Sequence, residues 1–179
     1  GYLEIVELPY FNIDKIKNLL EECSICINLI GILFEKKNNN FKNIHSDFPD
    51  LLSKFSANKN IEKLIHLSSL GIEKSIDSNY AISKLDGENK IKHNFNRSII
   101  LKPSIVYSVD DNFTTNFMTL LNRLPFMPLY YEGKTKFSPI HVTDLAQIIF
   151  DVVQGKVNEK TIECIGPEIF SFKEIILKL

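Results

Sequence analysis

Tyr80 and Lys84 stand four residues apart in a stretch, Leu64 to Glu88, that also carries two adjacent serines, Ser68 and Ser69. Residues at that spacing lie one above the other on a helix face, so phenol and ammonium share one space. A phenol ordinarily ionises near pH ~10, and a neighbouring cation favours the phenolate, drawing that value toward neutrality. Such a tyrosine could exchange a proton with an alcohol or a carbonyl. Ser68 or Ser69, delivered by the end of a strand, could hold the same oxygen. A half-buried Tyr beside a Lys whose stem lies along the surface is the plainer reading of a bare Tyr-x-x-x-Lys. The elements around the pair decide between the two.

Those elements alternate. Leu64, Ile65 and Leu67 read as a buried strand, followed by a polar loop and a helix that opens near Ser78. Upstream, Leu3 to Leu8 alternates like a short strand, and Asn12 is a candidate N-cap for a helix through Ile16, Leu19 and Leu20. Ile25 to Leu33 is an apolar, β-branched run, the pattern of a strand buried on both faces. Glu35 to Asn40 is a solvated loop, and a helix is expected over Pro49 to Asn58. Ser98 to Tyr107 reads as a strand broken by Pro103. Phe113 to Leu124 is helical in pattern, Pro125 and Pro128 bracket a turn, and Gly133 to His141 is extended. Thr143 and Asp144 start a helix through Val152, Thr161 to Ile165 is a strand, and Ser171-x-x-Glu174 is a capping box. Strands alternating with helices predict an α/β fold with a doubly wound parallel sheet. The expected division is 1–109 for the dinucleotide-side sheet and 110–179 for a smaller α+β portion packed on it.

The totals narrow the class. The sequence has 179 residues, a net charge of -1 and 44% hydrophobic residues, enough for a real core and without the basic excess of a nucleic-acid binder. Cys23, Cys26 and Cys164 are too few and scattered for a disulfide framework, so reduced cysteines and a reducing compartment are expected. No apolar run approaches the ~20 residues that span a bilayer. His45, His66, His93 and His141 show no metal spacing, and His66 reads as a packed or hydrogen-bonded core residue. Phe113, Phe117, Phe126 and Phe137 read as core, while Tyr130 and Tyr131 suggest a partner or substrate lip. The sequence opens on Gly1 in a strand-like run and stops at Leu179 in a helical pattern, so the expectation is a fragment of a longer protein.

Several segments, in order, are similar to the extended short-chain dehydrogenase/reductase superfamily. They are Asn28-Leu29-Ile30-Gly31; the Ser68-Ser69, Tyr80-x-x-x-Lys84 and Glu88 series; Lys102-Pro103-Ser104-Ile105-Val106-Tyr107; and Pro139-Ile140-His141-Val142-Thr143-Asp144. The resemblance implies a Rossmann-like domain, with Tyr80, Lys84, Ser68 and Ser69 in the catalytic positions. It implies a cofactor bordered by Asn28, Leu29, Ile30, Gly31, Leu67, Tyr80, Lys84, Lys102, Pro103, Ser104 and Ile105. Asp144 reads as a helix-start anion rather than a catalyst. Ile27 to Glu35, His66-Leu67-Ser68-Ser69, Asp111-Asn112-Phe113 and Pro125-x-x-Pro128-Leu129 resemble one branch in particular. That branch is the NADPH-holding accessory subunit of respiratory complex I and its bacterial homologues.

That branch implies NADP(H) in preference to NAD(H), complex I subunits as partners, and at most peripheral membrane association. The implied location is cytoplasmic, or on the inner membrane through complex I. Two departures temper a catalytic role. The seven glycines include no Gly-x-x-Gly-x-x-Gly cluster, so the sheet is expected to lack its first β-α-β unit and most of the phosphate site. The loop from Ser69 to Tyr80 is also compact. Three functions remain open: an accessory or assembly subunit without turnover; an NAD(P)-dependent epimerase, dehydratase or reductase; and a dinucleotide-dependent redox sensor.

Overall fold

In this computed structural model, residues 2–8, 13–37, 39–59, 61–109 and 130–178 are described. Four parallel strands form the main sheet: β1 (Ile25–Asn28), β2 (Lys63–Leu67), β3 (Ser98–Pro103) and β7 (Thr161–Cys164), in the order β1-β2-β3-β7. Ile65 lies beside Ile27 on one side and Ile99 on the other. Parallel neighbours need a crossover, and each crossover here carries a helix. They are α2 (Phe48–Asn58), α3 (Asn79–Asn94) and α4 (Val142–Val153), with α1 (Ile13–Leu20) ahead of β1.

Side chains on a strand alternate between faces, and the two cores follow that alternation. Leu64 and Ile100 join Cys26, Leu52, Ile61, Ile91 and Phe95 on one face, with Leu20 of α1 packed against them. Ile65, Ile99 and Leu101 join Leu145, Val152 and Cys164 on the other. Helices on both faces make the sheet doubly wound, the α/β architecture expected. Every residue of β3 is buried.

Small elements complete the carboxyl half. β4 (Val106–Tyr107) pairs in parallel with β6 (Ile140–His141), and β5 (Lys136–Phe137) pairs antiparallel with β8 (Phe170–Ser171). Helix α5 (Phe172–Lys178) opens on the expected capping box: the Glu174 amide donates to Ser171 Oγ at 3.2 Å, and the Ser171 amide donates to the Glu174 carboxylate at 2.7 Å.

The structure corrects the sequence reading at several elements. Residues 2–8 form no strand and are largely exposed. The apolar run from Ile25 yields four strand residues, not nine, and its inward and outward positions differ: Cys26 and Asn28 are buried, Ile27 exposed. Among the described residues β1 lies at the edge of the sheet. Helix α4 is capped by His141, whose Nδ1 accepts from the Thr143 amide at 3.3 Å, and it begins at Val142, one residue ahead of the expected start. The candidate cap Asn12, the helix over Phe113 to Leu124, the Pro125–Pro128 turn, Phe113, Phe117, Phe126 and the side chains of Tyr130 and Tyr131 lie outside the described residues.

One element was not foreseen. Before α2 the chain already turns as a π-helix, Lys42–Asp47, continuous with it. Pro49 has no amide hydrogen to give the His45 carbonyl four residues back, and its ring would collide with that carbonyl in a regular α-turn. The wider π-turn relieves the collision and lets the helix run on. Gly87 of α3 meets that same carbonyl: a Cβ there would come within 1.9 Å of the His45 oxygen. Proline on one helix and glycine on the other let two backbones touch.

Candidate functional site

Three chain segments leave the carboxyl edge of the sheet side by side. β1 delivers Leu29, Ile30 and Gly31, β2 delivers Ser68 and Ser69, and β3 delivers Ser104 and Ile105. Ligands of open parallel sheets bind beyond this edge. Helix α3 begins there too, with Ser78 Oγ accepting from the Ala81 amide at 3.4 Å as its cap. Tyr80 and Lys84 occupy its first two turns.

Tyr80 Oη and Ser69 Oγ are 2.9 Å apart and hydrogen-bonded. Of the two candidate serines, Ser69 is therefore the one that meets the phenol. Ser68 is buried, and its hydroxyl has no hydrogen-bond partner among the described residues. Lys84 is only 7% exposed; its Nζ lies 5.6 Å from the Tyr80 ring centroid and donates to the Leu67 carbonyl at 3.4 Å. The ammonium thus sits over the ring, not against the phenol oxygen.

The protonation states differ from those the spacing suggested. Burial raises the Tyr80 phenol above its ordinary value, and the Ser69 hydrogen bond only partly offsets this. The expected drop toward neutrality is absent. Lys84 is the group that shifts toward neutrality: burial lowers it to about 8, opposed by the charge of Glu88.

Gly31 faces these groups. A Cβ there would lie 3.6 Å from Lys84 Nζ and 3.7 Å from His45 Nε2, which is ordinary contact. Packing does not force a glycine at this position, but its lack of a side chain leaves the space beside Lys84 open.

His45 joins the site from the π-helix. Its Nε2 accepts from the Ile32 amide at 3.0 Å, and its Nδ1 lies 3.1 Å from Ser83 Oγ. An amide can only donate, so the ring proton must sit on Nδ1 and point to Ser83. Ser83 Oγ in turn donates to the Tyr80 carbonyl at 2.8 Å. The imidazole stacks on Phe41 with centroids 5.4 Å apart and meets the Tyr80 ring edge-on at 5.2 Å. Burial, and then the charge of Lys84, lower its pKa to about 4, so it is neutral at physiological pH. In the sequence His45 stands out only as a histidine without metal spacing. Its partner Ser83 is 38 residues away, and no local pattern encodes that pairing.

Other expected cofactor residues have their polar atoms engaged within the protein. The Asn28 side chain accepts from the Ile30 amide at 3.1 Å and donates to His66 Nδ1 at 3.0 Å. His66 is buried as expected and held neutral, its pKa lowered to about 3 by burial and then by Lys84. The Lys102 ammonium is buried between Glu73 and Glu88, 3.1 Å from the latter. The Pro103 carbonyl accepts from the Leu70 amide, the Ser104 amide donates to the Cys164 carbonyl, and the Ile105 carbonyl accepts from the Ile140 amide. Asn28 and Lys102 therefore shape the edge instead of offering free side-chain donors. Leu67 contributes its carbonyl to Lys84, and Leu29 and Ile30 present exposed side chains. Among the described residues no cluster of His, Cys, Asp and Glu could hold a metal ion.

Comparisons with known proteins agree with this geometry. No protein-family model matches the sequence. The chain is 27% identical over 164 residues to NADH dehydrogenase [ubiquinone] 1 alpha subcomplex subunit 9, mitochondrial, of Dictyostelium discoideum, covering 91% of this chain and 45% of that protein. It is 25% identical over 128 residues to ceramide reductase of Caulobacter vibrioides, covering 72% of this chain and 40% of that protein. The chain thus spans less than half the length of these curated relatives. Among solved structures it superposes on dTDP-4-dehydrorhamnose reductase from Bacillus anthracis in complex with NADP, with TM-score 0.72 and 18% identity over 93% of this chain and 65% of that one. It also superposes on UDP-glucuronic acid 4-epimerase from Bacillus cereus in complex with NAD, with TM-score 0.70 and 19% identity over 89% of this chain and 58% of that one. In sequence the chain resembles the alpha subcomplex subunit 9 of mitochondrial NADH dehydrogenase, and its fold is the Rossmann-like fold of the NAD-dependent epimerases, dehydratases and reductases.

Proposed function

We propose that this chain forms the nicotinamide side of a dinucleotide site in an accessory or assembly subunit of respiratory complex I, holding NADP(H) without turning it over. The observation that carries the reading is the similarity, along 91% of the chain, to a subunit of mitochondrial NADH dehydrogenase. The site supports it. Tyr80, Ser69 and Lys84 converge at the carboxyl edge beside Gly31, where a ribose and nicotinamide would lie. Burial keeps the Tyr80 phenol protonated, which suits a hydrogen-bond donor to a bound ribose better than a base. Lys84 supplies the cation, and Leu29 and Ile30 supply exposed apolar side chains at the rim.

Among the described residues no helix is long and apolar enough to cross a membrane. Attachment through other subunits, on the matrix side in a mitochondrion or the cytoplasmic side in a bacterium, accords with that. The test is a gentle detergent extract of the source membranes. The protein, expressed from its complete gene, should migrate with NADH dehydrogenase activity and release NADPH on denaturation. A free monomer without bound nucleotide would overturn the reading.

A second reading, a working reductase or epimerase, is favoured by the 2.9 Å Ser69–Tyr80 hydrogen bond and by the similarity to ceramide reductase. Tyr80 would be its acid, Ser69 the oxygen holder and Lys84 the ribose ligand. Tyr80→Phe should then slow turnover by ~10²- to 10⁴-fold. Unchanged hydride transfer in that variant would remove the enzyme reading.

A further inference from the structure

Two walls of the proposed cofactor site come from elements far apart in the chain. One is the loop that leaves β1 at Asn28; the other is the start of α3. Between them stands the His45 side chain. His45 accepts from the Ile32 amide with one nitrogen and gives its other N–H toward Ser83, whose hydroxyl holds the Tyr80 carbonyl. The ring is 2% exposed, stacked on Phe41 and edge-on to Tyr80, so it has little freedom to rotate. Its backbone is pinned by the contact of its carbonyl with Gly87.

We infer that His45 is the positioning residue of this site: it sets the gap between the Gly31 loop and the Tyr80–Lys84 face by bonding both walls with one imidazole. The inference rests on the dinucleotide reading above. Both nitrogens of His45 are engaged within the protein, so its role is to position and not to transfer a proton. A buried side chain that holds the Ile32 amide on one side and faces Ser83 on the other fixes a spacing, and preorganised spacing is what a flat ligand entering between two walls requires.

Three variants of the protein expressed from its complete gene separate the roles. His45→Phe keeps the ring and its stacking but removes both nitrogens. His45→Gln keeps an acceptor at the reach of Nε2. Ser83→Ala cuts only the link to α3. Two readouts are followed: amide hydrogen exchange of residues 29–34 without nucleotide, and NADPH affinity with the emission of the bound reduced nicotinamide. His45→Phe should speed exchange in 29–34 and weaken NADPH binding by about tenfold or more, the scale of one unmade hydrogen bond. His45→Gln should restore slow exchange and most of the affinity, and Ser83→Ala should weaken binding without speeding exchange in 29–34.

Equal losses in Phe and Gln variants, or wild-type affinity and exchange in the Phe variant, would overturn the inference. A wild type that binds neither NADPH nor NADH would overturn the dinucleotide reading and this role with it. A wild type that binds while all three variants match it would overturn the role alone.

Discussion

Lys84 carries a charge in a place that does little to stabilise it. Its hydrogen bond to Leu67 is long, and Glu88, the carboxylate whose charge acts on it, is already bonded to Lys92 and Lys102. A buried ammonium without a close partner costs folding free energy, and the lowering of its pKa to about 8 is that cost seen from the proton's side. A group retained against its own stability is a candidate for binding something absent from the folded apoprotein. Lys84→Met, of similar length, should therefore raise the unfolding free energy read from urea titration by about 1–3 kcal/mol, while abolishing NADPH binding. The sign has a pH counterpart: between about pH 8 and pH 10.5 the unfolded chain holds the proton that the folded chain has lost, so wild-type stability should rise with pH there. A lower urea midpoint in Lys84→Met would show instead that the ammonium is structural. Glu88 and Lys102 differ in this respect. They form a buried pair, and Lys102 stays above its ordinary value because Glu73 and Glu88 outweigh its burial.

At the scale of elements, the contact between α3 and the π-helix sets the site more than either helix alone. Replacing a hydrogen of Gly87 by a methyl group would drive a Cβ to within 1.9 Å of the His45 carbonyl oxygen, a backbone atom. Alanine gains about 1 kcal/mol of helix propensity over glycine, but neither helix can yield by rotating a side chain. Gly87→Ala should thus cost about 1–3 kcal/mol net and weaken NADPH binding, because the helices part and take His45 with them. Urea titration checks the first effect and nucleotide titration the second; a stabilised variant would mean that the two helices can separate freely. The sequence revealed much of the frame but little of this contact. Buried apolar runs and their alternation with helical segments made β2, β3, α3 and a parallel sheet legible, and both cores follow the period of two along Leu64-Ile65 and Ile99-Ile100-Leu101. The Tyr80–Lys84 spacing and the Ser171–Glu174 box were legible because their partners are three or four residues away. The length of β1 was not, because an apolar run does not say where pairing stops. The role of His45 depends on its carbonyl meeting Gly87 and its ring meeting Ser83, which is 38 residues away along the chain, and no local pattern of sequence contains both ends.

Over the whole molecule, His45 and His66 tie β1, β2, the π-helix and α3 into one unit, and both do so only when neutral. His45 must keep Nε2 bare for the Ile32 amide, and His66 must keep Nδ1 bare for Asn28. Burial, then the charge of Lys84, lowers them to about 4 and about 3, against about 6.5 in an unfolded chain. From about pH 6.5 down to about pH 4 the unfolded state therefore binds protons that the folded state refuses. Stability contributed by the two imidazoles is complete above pH 6.5 and lost as pH falls through that window. Carboxylates do not compete there. Asp50, Glu73 and Asp86 are lowered chiefly by hydrogen bonds from Lys54, Lys102 and Lys90, so their contributions vanish only at more acid pH. Each histidine contributes a slope of up to about 1.4 kcal/mol per pH unit, and a protein of this size loses about 2–4 °C of melting temperature per kcal/mol. The nucleotide-free protein should melt several degrees lower near pH 5 than near pH 7. The double variant His45→Gln/His66→Gln should have a lower but nearly flat profile across the same range. A wild-type melting temperature independent of pH there would mean that these rings accept protons without breaking their bonds, and that the two walls of the site are not held together as described.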